Sequence, residues 1–204
     1  MKFVIATGNE GKVREFKRIL EPMGFSVSSL KELGLSLDVE ETGTSFAENA
    51  RIKAREACRL TGLAAIADDS GLCVDALHGA PGVLSARYAS RNGENASDRD
   101  NVEKLLSELK EVPDEKRNAS FVCAISAILL RNEENPVELY AAEGSLPGVI
   151  ARAPRGTNGF GYDPVLYLPE YGKCVAELEP GLKNAVSHRG KALRQLAYRY
   201  YGIY

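Results

Sequence analysis

Histidine is scarce in this chain and paired cysteine is missing. There are two histidines, His78 and His188, and four cysteines, Cys58, Cys73, Cys123 and Cys174, none of them in a C-x-x-C pair. A structural zinc site needs four such ligands at close spacing, so the pattern argues against one. Single cysteines scattered through mostly apolar surroundings read as buried, reduced thiols of a cytosolic protein. Charge of one sign is lacking too. A net charge of −2 leaves no broad electrostatic drive toward DNA, RNA or an acidic membrane, although local lysine and arginine clusters can still bind a small anion. Long hydrophobic runs are absent. The N-terminal "MKFVIA" is too short for a signal peptide or a membrane span, and "AAIADDSGLCVDAL" is broken by carboxylates. The expected compartment is the cytoplasm. There is no internal repeat, low-complexity tract or disordered linker.

What is present suits a soluble globular protein. The 204 residues are 44% hydrophobic and 26% charged, enough for one domain over residues 1–204, in one or two lobes, with a substantial core. Residues 2–6 read as a buried strand. Val13, Phe16, Ile19 and Leu20 then fall on one helical face, ended by "EPMG", and "FSVSSL" gives a second strand to make a βαβ start. "LDVEETGT" is a loop. Ser45 and Glu48 form a capping-box pattern that opens the alanine-rich helix "FAENARIKAREACRLTG". "AAIADDSGLCVDAL" predicts a strand, a turn at Asp-Asp-Ser-Gly, and a further extended piece. "HGAPGVLSARYAS" is a punctuated loop, and "SDRDNVEKLLSELK" a capped amphipathic helix with Val102, Leu105, Leu106 and Leu109 as its stripe. "ASFVCAISAILL" reads as a central strand, with "VELYAAEGSLPGVI" as its hairpin or neighbour and "RNEENP" as a surface loop between them. "NGFGYDPVLYLP" is a loop and a strand, and the last helix lies near "SHRGKALRQLAYRYY". Strands alternating with helices predict an α/β fold with a mixed sheet.

Five stretches carry possible chemistry. "TGNEGK", residues 7–12, joins the first strand to the first helix. It is not a P-loop, because Ala6 stands where that motif needs its first glycine and Val13 where it needs the Ser or Thr. Its physics is similar all the same. A helix N-terminus offers free N–H groups and partial positive charge to an anion, and Lys12 adds a full charge. An ordinary βα turn with a solvated lysine would look the same. Asp68 and Asp69, followed by Ser70-Gly71, could hold Mg²⁺ through oxygen ligands or polarise a water, or could simply form an Asx-turn. Glu40 and Glu41 give a second acidic pair, in a loop. Lys53 shares a helical face with Asn49. "GTNGFGYDP" alternates glycines with Phe160 and Tyr162, which fits either a stacking face for a planar base or rings buried in the core. "KNAVSHRGKA" brings Lys183, His188 and Arg189 close in sequence. Cations in a first helical turn oppose the helix dipole, a conflict that favours donation to a carbonyl or phosphate.

Taken in order, "TGNEGK", "ETGTSFAENARIKA", "ADDSGLCVDALHGAPGVLSARYA", "GTNGFGYDP" and "SHRGKAL" resemble the inosine triphosphate pyrophosphatase-like family, the non-canonical purine nucleoside triphosphate pyrophosphatases. The resemblance implies an elongated two-lobed α/β fold around a long mixed sheet with flanking helices. It places the active site in the cleft between lobes and implies a homodimer. It implies Mg²⁺-dependent hydrolysis of ITP, dITP and XTP to the monophosphate and pyrophosphate. Thr7, Gly8, Asn9, Glu10, Gly11 and Lys12 would bind the triphosphate, with help from Lys53. Asp69 would accept the proton and ligate the metal, and Ser70 would touch substrate. Phe160, Gly161, Tyr162 and Asp163, with Lys183, His188 and Arg189, would form the nucleoside pocket. One of Glu40 and Glu41 would be the other metal ligand, with Glu40 preferred. Arg189 and neighbouring donors would pair with the C6 carbonyl of hypoxanthine and confront the amino group of adenine with a donor. Two alternatives stand beside this. One is a Maf-like nucleotide pyrophosphatase, whose serine and double-arginine pattern after the first strand is missing here. The other is a non-catalytic nucleotide-binding module, expected to lose the Asp-Asp pair or a phosphate lysine.

Overall fold

The computed structural model describes residues 2–130 and 136–202. The surface loop expected at "RNEENP" lies, except for Pro136, outside the described residues. The chain opens with β1 (Lys2–Ile5), α1 (Glu10–Leu20) and β2 (Ser26–Ser29). Strands β1 and β2 pair in parallel, Phe3 opposite Val27, as a βαβ unit requires. Helix α1 begins where Asn9 caps it, the side chain accepting from the Lys12 N–H at 3.1 Å. It buries Phe16, Ile19 and Leu20.

After the loop, α2 (Phe46–Thr61) starts with the expected capping box between Ser45 and Glu48 and ends at Gly62. Strand β3 (Ala65–Val74) follows and pairs in parallel with β1, Ile5 opposite Ile66. The turn predicted at Asp-Asp-Ser-Gly does not form. The strand runs unbroken through Asp68, Asp69, Ser70 and Gly71, all buried or half-buried. Asx-turns suit exposed polar runs. Here side chains from several helices answer the carboxylates, and Leu72 N–H is held by Ser85 Oγ at 2.9 Å, so the extended backbone persists.

The rest comprises α3 (Asp98–Glu108), β4 (Asn118–Leu130), β5 (Pro136–Ile150), β6 (Leu166–Leu168), β7 (Lys173–Cys174), α4 (Pro180–Val186) and α5 (His188–Tyr201). The seven strands form one sheet in the order β2-β1-β3-β4-β5-β6-β7, and β5 with β6 and β6 with β7 are antiparallel. The sheet is therefore mixed, and β4 lies at its centre as its apolar run predicts.

The chain divides into two compact units. The first is Met1–Asp69, Cys123–Gly144 and His188–Tyr204; the second is Ser70–Val122 and Ser145–Ser187. In the first, Phe3, Ile5, Phe16, Leu20, Ile66, Cys123, Ile125 and Leu193 form one core on one face of the strands. Ala54, Ala57 and Cys58 of α2 pack on Ala65, Ala67 and Ile128 in another. In the second unit Leu72, Val74, Val102, Leu105, Leu109, Tyr162, Val165 and Leu166 form the core. The four cysteines are free, three of them buried.

Candidate active site

Period-two alternation organises the first unit's polar cluster. Along β3, Ile66 belongs to the core beneath α1 and α5, while Ala65 and Ala67 face α2. The next two residues continue the alternation, so two adjacent aspartates meet different helices. Asp68 meets α1 and α5: Arg189 Nη2 lies 2.8 Å and Lys12 Nζ 3.1 Å from its Oδ2. Asp69 meets α2: Lys53 Nζ lies 2.8 Å from Oδ1, and Asn49 Nδ2 donates to Oδ2 at 3.3 Å. The small side chains Ala50, Ala54 and Ala57 are wholly buried, which lets α2 approach closely and carries Asn49 and Lys53 to the strand. The Asn49 carbonyl oxygen in turn accepts from Gly43 N–H at 2.8 Å and ties down the preceding loop.

That loop places the two glutamates differently. Glu41 Oε1 lies 3.1 Å from Lys53 Nζ, whereas Glu40 is exposed with no ion pair shown to this cluster. It is Glu41, not the preferred Glu40, whose carboxylate turns toward Lys53, at a tight turn where Thr42 N–H donates to Glu40 O at 3.1 Å. Glu41 and Asp69 thus converge on a single cation, at present the Lys53 ammonium. Among the described residues no three His, Cys, Asp or Glu side chains gather closely enough to hold a metal by themselves.

Opposing fields tune the two aspartates in opposite directions. Burial pushes the Asp68 carboxyl up, but Arg189, Lys12 and Lys53 outweigh it and hold the group far below the usual range. Burial also pushes Asp69 up, and there Lys53 and Lys12 offset only part of the effect, so it stays above its ordinary value. Lys53 loses proton affinity through burial and regains more from Asp69, Asp68 and Glu41. One carboxylate is locked in its charged form and its neighbour is a better proton acceptor, the division expected of a structural anchor beside a base.

Arg189, expected at a base carbonyl, bonds two buried carboxylates in this structure. It is 1% exposed, donates from both Nε and Nη2 to Asp68, and pairs through Nη1 with Glu15. The two carboxylates also answer the dipole conflict at the start of α5. His188, beside it, is buried. Glu15 is the residue that the sequence reading missed. Its signal is a charge on the buried face of α1, four residues before Ile19.

In the phosphate-cradle candidate, Thr7 Oγ1 accepts from Asn9 N–H at 3.2 Å, and Asn9 caps α1. Gly8, Asn9 and Glu10 are exposed, and Gly11 and Lys12 half-buried. The Glu10 carboxylate pairs with Lys31 at 2.6 Å, a surface contact.

The second unit holds the other candidate group. Phe160 is half-buried, and Lys183 Nζ sits 4.8 Å from the centroid of its ring. Lys183 also pairs with Asp163 Oδ2 at 2.6 Å, and the same oxygen accepts from Phe160 N–H at 3.0 Å. Gly159 makes this possible: at φ +83° a Cβ there would lie 2.0 Å from Asp163 Oδ2. Tyr162 is buried and its hydroxyl donates to Ser85 O at 2.8 Å, so of the two rings only Phe160 offers a face. Ser70, the first residue of this unit, is half-buried in β3.

Comparison with known proteins covers nearly the whole chain. The Ham1 family model matches residues 3–199. A dITP/XTP pyrophosphatase of Yersinia pestis is 55% identical over 193 residues, 95% of this chain and 94% of the relative. One of Shigella flexneri is 53% identical over 195 residues, 96% of this chain and 95% of the relative. A solved HAM1 protein from Coxiella burnetii superposes with a TM-score of 0.83 at 44% identity, covering 99% of both chains.

Proposed function

Because the chain belongs to the Ham1 family, we propose that it hydrolyses the non-canonical purine nucleoside triphosphates ITP, dITP and XTP to the monophosphate and pyrophosphate. This removes them from the nucleotide pool before they can enter DNA or RNA. The observation that supports the chemistry best is the convergence of Asp69 and Glu41 on Lys53, beside an anchored Asp68.

The N–H groups of the first turn of α1, with Lys12 and Lys53, hold the triphosphate oxygens. Asp69, whose burial raises its proton affinity, aligns a water toward the α-phosphorus and takes its proton. Asn49 and Lys53 keep that carboxylate in place. Glu41 and Asp69 fit Mg²⁺, a hard cation commonly held by one or two carboxylates together with substrate phosphates, so a two-carboxylate set suffices. When bound, Mg²⁺ neutralises charge that develops on the leaving pyrophosphate. Phe160 stacks on the purine, and Lys183, a pure donor, meets the C6 carbonyl of hypoxanthine or xanthine. The adenine amino group would face that donor with another, and a site built this way can reject the mismatch by ~10⁴. Arg189 contributes through Asp68 rather than at the base. The proposal extends to a cytoplasmic homodimer, which sedimentation tests.

The deciding experiment measures pyrophosphate and orthophosphate release from ITP, XTP, dITP, GTP, ATP and dUTP, with and without Mg²⁺. Pyrophosphate from the first three alone, and only with metal, is expected. Orthophosphate would mean attack at the terminal phosphorus. Preference for another base would overturn the base assignment, and saturable binding without turnover would leave a nucleotide-binding module.

A further inference from the structure

The turn that presents Phe160 is pinned from outside by residues that have no part in the site so far. Asp163 and Gly159 organise its interior. Asn158 ties its start to Ala176 O and Leu178 O, and two further polar anchors come from elsewhere in the second unit. Tyr162 donates its hydroxyl to Ser85 O at 2.8 Å, and Gly161 N–H donates to Asp98 Oδ2 at 2.7 Å. Ser85 lies in the "HGAPGVLSARYA" stretch, whose role the sequence left open. Its Oγ accepts from Leu72 N–H and donates to Gly82 O at 2.6 Å, so it fastens that stretch to β3. Asp98 is the first residue of α3, 63 residues before its partner. The helix beneath it is rigidly seated. Val102 and Leu105 are core residues, and Asn101 accepts from Ala89 N–H at 2.8 Å and donates to Ala86 O at 3.1 Å.

We infer that Asp98 is a positioning residue for base recognition: its carboxylate holds the Gly161 N–H and so fixes where Phe160 and Lys183 meet the purine. An acid in a first helical turn is favoured by the dipole anyway. That explains the charge but not its aim at a distant backbone N–H. Ser97 already caps α3, and Asp100 supplies a second acid to the same turn, so the helix does not depend on Asp98. The side chain is exposed, and its removal leaves no buried group unsatisfied within the helix. What its removal does release is the turn, since Gly161 loses a charge-assisted bond of the stronger class. The residues proposed for phosphate, Lys12 and Lys53, belong to the first unit, and phosphate binding by the variant is expected to match the wild type.

This inference rests on the base assignment made above, and the test keeps the two apart. Steady-state kinetics with ITP and ATP would be run on the wild type, Asp98→Ala and Asp98→Asn, with inorganic tripolyphosphate as a competitive inhibitor. In Asp98→Ala the KM for ITP rises about threefold or more with kcat nearly unchanged, because the loosened turn no longer holds Phe160 in its binding geometry. The tripolyphosphate inhibition constant stays as in the wild type. Asp98→Asn keeps an acceptor oxygen and restores most of the ITP affinity. An unchanged KM in Asp98→Ala overturns the inference. So does a parallel rise in KM and in the tripolyphosphate constant, or an Asp98→Asn variant as impaired as Asp98→Ala. A wild type that treats ITP and ATP alike removes the base assignment itself, and the inference falls with it.

Discussion

Two neighbouring aspartates with different partners and opposite shifts in proton affinity are the clearest result at the residue scale. The sequence shows the pair but not the division of labour, which arises because adjacent strand residues face opposite sides. Asp68 is committed to Arg189 and Lys12, and this has a consequence for stability. Its carboxyl, ordinarily titrating near 3.8, is depressed in the fold. At pH above that value both folded and unfolded chains carry the charge, and the full stabilisation is present. Below it the unfolded chain takes up a proton that the folded one refuses, so stability falls as pH falls, by up to ~1.4 kcal/mol per pH unit. Asp68→Asn removes the buried carboxylate shared by Arg189 and Lys12, leaving Arg189 with Glu15 alone among its carboxylate partners. It should cost about 3–5 kcal/mol at neutral pH, and the gap to wild type should narrow below pH ~4. Urea unfolding of both proteins from pH 7 down to pH 3 checks this, and a gap independent of pH would contradict the assignment. Lys53, Asp69 and Lys183 were legible as candidates from residue type and spacing. Asp98 was not, since nothing local tells an acid that holds a distant backbone N–H from a solvated one, and Glu15 was marked only by its charge on the buried face of α1.

Elements were legible wherever periodicity or caps are strong. Both ends of α2 follow from Ser45, Glu48 and Gly62, and the central place of β4 from its apolar run. Two features escaped. β3 continues through a sequence that looks like a turn, because tertiary partners rather than local preference hold Asp68 and Asp69 extended. The short α4 is the other, since it opens at Pro180, which suits a first helical turn, with no capping side chain to announce it. A third detail is visible only in the packing. A Cβ at Gly144 of β5 would lie 2.2 Å from His188 O and 2.8 Å from Ala192 N, both backbone atoms of α5. Neither can rotate away, so Gly144→Ala must push the helix bodily. Overpacking of this kind costs ~1–3 kcal/mol, or about 2–4 °C of Tm per kcal/mol for a chain of this length. Since α5 carries Arg189, kcat should fall as well. Thermal unfolding with steady-state kinetics checks both, and an unchanged Tm would mean that α5 does not sit against β5 as described.

At the scale of the whole molecule, the near-balance of charge has a functional meaning. A nucleoside triphosphate is a polyanion, yet the chain carries a net charge of −2, so no long-range field draws substrate in. Attraction must come from a few local cations, and the side chains of Lys12 and Lys53 are only 15% and 11% exposed. Partly buried charges are screened far less by salt than surface ones. The kcat/KM for ITP should therefore fall by less than about threefold between about 50 and 300 mM KCl, whereas proteins that bind through many exposed phosphate contacts lose ~10³ or more over a similar range. The near-balance of charge, read from composition alone, and the sequestered lysines, visible only in the structure, lead to the same expectation. A tenfold or steeper loss with salt would place the binding charges on the surface and remove Lys12 and Lys53 from the phosphate site.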